Sequence, residues 1–245
     1  MRLFVDIGNT AAKWASEEEL LADIVQKTDT GDPVDSMLSA WKRLDQPCEV
    51  YISSVLQADG NRRIMEWVSG NWRITPCLAE SKASELGVTN GYREPSQLGV
   101  DRWLAMLAAR AISKAALVVV DCGSATTLDG VDADGKHLGG VILPGLHLIP
   151  RCLFANTEIP LFDSSGKINY FATDTATGIH SGAMLATASS VERMVEMLQK
   201  ESGTPVECLV TGGGSHFLSE NLRVDHRLAP NLVLHGLALI AGKVD

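Results

Sequence analysis

The chain makes the same kind of turn twice. The stretches "FVDIGNTAAKW" (4–14) and "VVVDCGSATTL" (118–128) each consist of a short apolar run, an Asp, one further residue, a Gly and small polar residues. An apolar run that stops at a glycine is typical of a buried strand that ends in a tight turn. The Asp falls at the strand end in both copies, as Asp6 and as Asp121. The repeat predicts two related halves, each of which supplies one loop to a shared cleft.

The segments around these turns predict a mixed α/β chain. Apolar and β-branched runs predict strands at 3–6, 49–55, 116–121 and 206–211, and Asp134–Gly135 between two apolar runs predicts a hairpin. Helix formers and amphipathic spacing predict helices at 60–70, 102–115, 175–200 after a loose start, and 232–242. The best boundary follows the second of these helices. It divides the chain into an N-terminal lobe at 1–114 and a C-terminal lobe at 115–245.

Composition narrows the class of partner. With 21 basic and 30 acidic residues the formal net charge is −9, which disfavours binding to nucleic acid or to an anionic membrane. The five cysteines are odd in number and show no zinc-ligand spacing, so reduced thiols in a cytosol are expected. The most apolar stretch, 138–149, is interrupted by Pro144 and is too short to span a membrane. We therefore predict a cytoplasmic protein that binds neither nucleic acid nor membrane.

The two turns carry groups that suit phosphate. Backbone N–H groups at a glycine turn can approach a phosphate closely because no Cβ intervenes. Asn9, Thr10 and Ser124 add short donors, Lys13 adds a positive charge, and an Asp at a strand end can hold a cation or its water shell. Asp and Gly are also common in ordinary turns. Two such turns and a third glycine turn, "TGGG" (211–214), favour a nucleoside triphosphate site, and the Walker and Gly-x-Gly-x-x-Gly patterns are absent from them.

Five motifs, spread in order over most of the chain, resemble those of the type III pantothenate kinases. They are "DIGNTAAK" (6–13), "LGVDRWLAMLAAR" (98–110), "VVVDCGSATT" (118–127), "GGVILPGL" (139–146) and "TGGG" (211–214). The family is part of the acetate kinase, sugar kinase, heat-shock chaperone and actin superfamily. The resemblance implies an α/β fold of two related ribonuclease-H-like lobes, the actin-like ATPase fold, around a nucleotide cleft. It also implies that ATP phosphorylates the 4′ hydroxyl of pantothenate, the first step of coenzyme A biosynthesis.

Asp101 has two interpretations from the residues alone. It stands just before the predicted 102–115 helix on a turn that starts with glycine, so it can cap the helix or face a cleft as a general base. The resemblance assigns the general base to Asp101.

The resemblance implies the remaining site residues, cofactors and partners. The residues expected to bind ATP are Asp6, Ile7, Gly8, Asn9, Thr10, Ala11, Ala12, Lys13 and Ser124. Those expected to bind pantothenate are Tyr92, Gly99, Val100, Asp101, Arg102 and Thr175. Asp121 is expected to bind a monovalent cation. The implied cofactors are ATP with Mg²⁺ and either K⁺ or NH₄⁺. The family pattern Thr-x-Glu-Ala-Ile-x-x-Gly reads "TATGIHSG" (175–182) here, so Thr177 and Gly178 replace its Glu and Ala.

The resemblance also implies a homodimer in which Thr175 completes the pocket of the other subunit. An apolar stripe predicts additional surface for this contact: Met184, Leu185, Val191, Met194, Val195 and Leu198.

Two alternatives compete with this function. One is a different enzyme on the same fold, such as a kinase for another small alcohol, a sugar kinase or a polyphosphate hydrolase. The other is a non-catalytic accessory regulator that keeps the fold and binds a partner. The intact set of Asp6, Asp101 and Asp121 argues against lost catalysis.

Overall fold

The computed structural model of the protein describes residues 1–28, 31–156 and 168–242. Its packing divides the chain into two compact units. Unit 1 comprises Met1–Ile112 and the C-terminal segment from Asn231, and unit 2 comprises Ser113–Pro230. The predicted lobes, 1–114 and 115–245, differ from these units chiefly at the C-terminal segment, which packs with the N-terminal unit.

The elements follow one another in chain order. Unit 1 begins with β1 (Arg2–Ile7), β2 (Ala12–Ser16), α1 (Glu17–Leu21), β3 (Gln26–Lys27), α2 (Pro33–Trp41), β4 (Glu49–Ser54), α3 (Ala58–Trp72), β5 (Cys77–Leu78), β6 (Ser84–Glu85), β7 (Val88–Thr89), a 3₁₀ turn (Pro95–Gln97) and α4 (Val100–Ile112). Unit 2 contains β8 (Ala116–Cys122), β9 (Ala125–Val131), β10 (His137–Pro144), α5 (Leu148–Asn156), α6 (Thr175–Ser202), β11 (Val206–Thr211), α7 (Ser215–Ser219) and β12 (His226–Leu228). The chain ends its described part with α8 (Leu232–Ala241), which belongs to unit 1.

Both units contain a five-stranded sheet of the same design. The strand order is β3-β2-β1-β4-β5 in unit 1 and β10-β9-β8-β11-β12 in unit 2. In each sheet the first three strands in chain order pair antiparallel, and the fourth and fifth add in parallel beside the first. In unit 1, β6 and β7 form a separate antiparallel pair. A parallel neighbour needs a crossover, which includes α2 in unit 1 and α6 in unit 2. The prediction of an α/β fold with two related lobes is confirmed.

The cores follow from the apolar runs of the sequence. The side chains of 116–120 in β8 are all buried, as a strand covered on both faces requires. In unit 1, four tryptophans pack against one another around Trp41, whose ring stacks on that of Trp72 with 5.2 Å between centroids. These tryptophans are packing residues of the unit 1 core.

Most of the longer predicted elements are present. The strands predicted at 3–6, 49–55, 116–121 and 206–211 correspond to β1, β4, β8 and β11, and the hairpin at Asp134–Gly135 joins β9 to β10. The loose start predicted for the 175–200 helix is wrong. The helix begins at Thr175 because the Asp174 carboxylate accepts the backbone N–H of Thr177 at 2.9 Å.

The apolar stripe of α6 lies in the core of unit 2. Met184, Val191, Val195 and Leu198 are buried there, whereas Leu185 and Met194 are partly buried. The helix packs on β8, β9 and β11. The prediction that this stripe is surplus apolar surface for a second subunit is therefore wrong, because a long amphipathic helix uses such a stripe to cover its own sheet.

The C-terminal helix packs with unit 1 because α8 contacts α4. A substitution at Gly236, which lies in this contact, tests how closely the two helices pack. A Cβ added there would overlap the main-chain atoms of Leu104, which cannot rotate away as a side chain could. We expect Gly236→Ala to lower the free energy of unfolding by about 1–3 kcal/mol, measured as a lower urea midpoint.

Gly70→Ala is the matched control. Gly70 also lies in a helix, α3, but nothing lies within 4 Å of an added Cβ. This substitution should stabilise the protein by about 0.5–1 kcal/mol, since alanine is the better helix former. An unchanged urea midpoint for Gly236→Ala would mean that the two helices do not touch at this point.

Candidate active site

Asp6 lies at the end of the central strand of unit 1. It is the next-to-last residue of β1, between Lys13 on β2 and Ser53 on β4. The Ser53 hydroxyl donates a hydrogen bond to Asp6 Oδ1 at 3.1 Å, which holds the half-buried carboxylate at the strand end. Ser53 was not among the predicted site residues. A serine that interrupts the apolar run predicted as the 49–55 strand is the signal in the sequence that points to it.

The turn after Asp6 is short. The Gly8 N–H donates to the Ala11 carbonyl at 2.9 Å, and Asn9 and Thr10 are exposed at its tip. The side chains of two other predicted ATP-binding positions, Ile7 and Ala12, are buried in the core, so only their main chain can face a ligand. Lys13 lies in β2 opposite Asp6, and its predicted place in the loop is therefore wrong. A lysine and an aspartate that pair across two strands share one face of the sheet.

Asp121 occupies the equivalent position in unit 2. It is the next-to-last residue of β8, between Thr127 on β9 and Thr211 on β11. The turn that follows is also closed by its glycine N–H, from Gly123 to the Ala125 carbonyl at 3.0 Å, but this bond spans two residues where that of Gly8 spans three. Ser124, the predicted ATP contact in this unit, is a half-buried residue of that turn. The two sequence copies therefore form related strand-end turns, and the turn in unit 2 is the shorter one.

Glycines bring two further turns against this strand end. Gly212 follows β11 with φ at +89°, and a Cβ there would overlap Asp121 Oδ1. The Gly214 N–H donates to the Cys122 carbonyl at 3.0 Å, and the Gly145 N–H donates to the Ser124 carbonyl at 3.0 Å. The surroundings of Asp121 are consequently rich in main-chain groups, which suits a small cation or a phosphate better than an apolar ligand.

Asp101 lies in the first turn of α4, which begins at Val100. Its Oδ1 accepts the neighbouring Arg102 backbone N–H at 2.8 Å, while the Gly99 carbonyl accepts the Trp103 N–H at 3.0 Å. The prediction that Asp101 directly precedes the helix is therefore wrong: α4 begins two residues earlier than predicted, because the Gly99 carbonyl accepts its first helical hydrogen bond. A Cβ at Gly99 would come within 2.6 Å of Asp101 Oδ1, so a side chain there would displace the Asp101 carboxylate.

Arg102 and Tyr92 form the cationic part of the same site. Arg102 is only 6% exposed, and its Nη1 donates to the Tyr92 hydroxyl at 2.8 Å. The guanidinium carbon lies 5.6 Å from the centroid of the Tyr92 ring, within range of a cation–π interaction. The structure thus brings together five of the six predicted pantothenate positions: Tyr92, Gly99, Val100, Asp101 and Arg102.

Thr175 is the sixth predicted position and belongs to unit 2. It is the exposed first residue of α6. The preceding Asp174 holds this helix start in place, and its hydrogen bond from the Thr177 backbone lowers the pKa of the carboxyl from its ordinary value.

Two broader features limit the chemistry. Within residues 1–28, 31–156 and 168–242, no group of three or more His, Cys, Asp or Glu side chains could hold a metal ion. None of the helices in the same ranges is long and apolar enough to cross a membrane.

Solved structures of other proteins share this fold. Solved structures of this fold include a Campylobacter jejuni protein described provisionally as a Baf family transcriptional activator, with a TM-score of 0.61, 21% identity and coverage of 98% of both chains. Acetate kinase of Entamoeba histolytica has a TM-score of 0.53 at 9% identity, covering 99% of this chain and 98% of its own. At these identities the likeness concerns the fold alone, which is that of the acetate and sugar kinases and the actin-like ATPases.

Sequence comparison identifies the family. The model of the type III pantothenate kinases matches residues 2–197. Relatives named type III pantothenate kinase from Methylibium petroleiphilum and a Polaromonas species are 36% and 34% identical, over 98% of this chain and 98% and 97% of theirs. The chain belongs to the type III pantothenate kinase family, and the resemblance seen in its motifs is confirmed.

Thiol reactivity tests how tightly the Asp121 strand end is packed. Burial, and then the nearby Asp121 carboxylate, raise the pKa of Cys122 to about 12, and burial raises that of Cys208 to about 12. Cys48, Cys77 and Cys152 are exposed. Because the thiolate is the reactive form, we expect iodoacetamide at pH 8 to modify the three exposed cysteines of the native protein and to spare the two buried ones.

Peptide mapping after denaturation supplies the control, since all five cysteines should then react. Labelling of Cys122 in the native protein at the rate of Cys48 would contradict the packing of the glycine turns around β8.

Proposed function

We propose that this protein transfers the γ-phosphoryl group of ATP to the 4′ hydroxyl of pantothenate, forming 4′-phosphopantothenate at the first step of coenzyme A biosynthesis. The observation that carries the proposal is the Tyr92–Asp101–Arg102 arrangement at the start of α4 in a chain of this family. A kinase of this family uses ATP with a divalent cation, Mg²⁺. The cysteine pattern, which favours reduced thiols, supports action in the cytoplasm.

Each side chain at the start of α4 has a task in this reaction. Phosphoryl transfer needs alignment and charge neutralisation, together with a group that accepts the hydroxyl proton late in a loose transition state. Asp101 accepts that proton. Arg102 and the Tyr92 hydroxyl orient the polar groups of pantothenate, with the arginine charge opposite its carboxylate. Gly99 and Val100 offer main-chain groups beside the carboxylate of Asp101.

The strand-end turns handle ATP. Main-chain N–H groups and short side chains of the segment from Asp6 to Lys13 contact the phosphates. Lys13 neutralises part of the phosphate charge, and Asp6 binds the water shell of Mg²⁺. Support comes from the form of the turns, which expose Asn9 and Thr10 and present main-chain groups at the strand ends.

The same protein uses a monovalent cation, K⁺ or NH₄⁺, at Asp121. A weakly hydrated cation of this size needs several oxygen ligands. The Asp121 carboxylate together with carbonyl groups of the adjacent glycine turns can provide them. The close packing of Gly212 on Asp121 supports this assignment, because it leaves main-chain atoms rather than side chains beside the carboxylate.

The active form is a homodimer in which Thr175 of one subunit contacts pantothenate bound by its partner. Thr175 is exposed at the end of a helix. Two aromatic side chains just before it are strongly exposed as well, Phe171 at 88% and Tyr170 at 57%. Large exposed aromatic groups near a polar site residue are typical of an interface between chains.

A turnover assay with Asp101→Asn tests the reaction and the general base together. Wild-type protein with ATP, Mg²⁺ and K⁺ should form phosphopantothenate. The variant should lose about 10²–10⁴-fold in kcat. Its stability should change by less than about 1 kcal/mol, because an amide oxygen can still accept the Arg102 N–H. Asp59→Asn is the control, since Asp59 is likewise a first-turn acid, on α3 and far along the chain from these residues.

The alternatives give different results in this assay. Phosphorylation of another small alcohol without phosphopantothenate would favour a different kinase, and no phosphorylation of either would favour the accessory regulator. Near-full activity of Asp101→Asn would remove the general-base role and leave only its contact with the helix start.

The monovalent cation is tested by measuring the rate in sodium, potassium and ammonium salts at fixed Mg²⁺ and ionic strength. Potassium or ammonium should give the higher rate. Asp121→Asn should raise the cation concentration needed for half-maximal activity, because one negative ligand is lost. Equal rates in all three salts would overturn the assignment.

Complementation tests the shared pocket. Asp101→Asn and Thr175→Trp should each be inactive alone. In a mixed dimer, one pocket would carry both defects and the other neither, so activity should return when the two proteins exchange subunits. If subunit exchange is proven and no activity returns, each pocket is built within one chain.

A further inference from the structure

Asn90 uses every hydrogen-bonding group of its side chain to hold one loop. The residue directly follows the β6–β7 hairpin and is half-buried. Its Nδ2 donates to the Lys82 carbonyl at 3.1 Å and to the Pro95 carbonyl at 3.2 Å, while its Oδ1 accepts the Tyr92 N–H at 3.0 Å. One side chain therefore connects the segment before the hairpin, the residue after it and the 3₁₀ turn.

The loop that these bonds hold carries the candidate substrate groups. Between β7 and α4 the chain has a single 3₁₀ turn as regular structure. Its far end is fastened as well, because the Ser81 hydroxyl donates to the Leu98 carbonyl at 2.8 Å. Residues 81–83 thus anchor both ends of the loop through hydrogen bonds. The Asn90 N–H, which donates to the Ala83 carbonyl at 2.9 Å, adds a third tie.

These hydrogen bonds fix the position of the Tyr92 hydroxyl. The bond from the Tyr92 N–H to Asn90 Oδ1 is an Asx-turn, which sets the backbone direction at Tyr92. The tyrosine side chain then reaches Arg102 Nη1. If the loop were free to shift, this contact would be lost without any change in Arg102 itself.

We propose that Asn90 is a positioning residue of the pantothenate pocket, which keeps Tyr92 in register with Arg102 without touching the substrate. The inference rests on the proposed function, since it takes Tyr92 and Arg102 as pantothenate contacts. Asparagine suits the task because it alone combines, at this length, one acceptor for the Tyr92 N–H with two donors for carbonyl groups. Aspartate lacks the donors.

The proposal predicts a selective kinetic defect. Asn90→Ala should raise KM for pantothenate at least about tenfold, since two or more hydrogen bonds that order the pocket are removed. KM for ATP should stay within about twofold, because the strand-end turns are untouched. Loss of uniform substrate binding leaves kcat largely unchanged.

Two further variants separate the parts of this role. Asn90→Asp retains the acceptor for the Tyr92 N–H but cannot donate to Lys82 and Pro95, so it should share the high KM for pantothenate. Asn71→Ala is the matched control, as the Asn71 amide likewise donates to a main-chain carbonyl, that of Trp67, on the exposed side of α3. It should leave both KM values unchanged.

The outcomes distinguish this proposal from the proposed function. If wild-type protein forms no phosphopantothenate, the proposed function fails. If it does, and Asn90→Ala has the wild-type KM for pantothenate, the positioning role is wrong. An equal rise of both KM values with a lower melting temperature would also overturn it. Should Asn90→Ala fail to fold, Ser81→Ala, which loosens only the far end of the loop, must show the same selectivity for pantothenate in a milder form.

Discussion

The structure depends on a carboxylate placed at the end of a central strand. Asp6 and Asp121 each stand one residue before the strand end, with a neighbouring strand on both sides. A central strand has no free edge, so its register fixes where the carboxylate stands. The glycine two positions later lets the chain turn away at once and leaves main-chain N–H and carbonyl groups at the same edge. The rest of each unit supports this edge, through hairpins on one side of the strand and parallel strands on the other.

Local pattern was enough to predict the elements that form this edge, but not their partners. The apolar run of β8 and the glycine turns are continuous in sequence, so both units were predicted as α/β. The place of α8 was not, because it depends on the close approach of Gly236 to the Leu104 main chain, far away along the sequence. Strands of two residues, such as β5, are too short to show any alternation, and their existence depends on the neighbouring strand.

The candidate site shows the same limit at the level of single residues. Asp101 and Arg102 stand in a motif and were found by resemblance, yet the exact start of α4 was missed because glycine at 99 replaces the capping side chain that the pattern suggested. Ser53 and Asn90 lie outside every motif used. Each is important through a hydrogen bond that no spacing rule specifies, one to Asp6 across two strands and one across a hairpin.

In the proposed function, phosphate handling and substrate choice fall to separate segments of the chain. The strand-end turns present mainly main-chain groups, which almost any sequence can supply if glycine is present. The segment from Asn90 to Arg102 instead acts through side chains, and it lies between a small hairpin and one helix. A family on this fold can therefore change its acceptor alcohol by rebuilding this one segment while the turns stay as they are. Asn90 would hold the rebuilt loop on the same scaffold. Its side-chain hydrogen bonds run to main-chain atoms, so they do not depend on which side chains the loop carries.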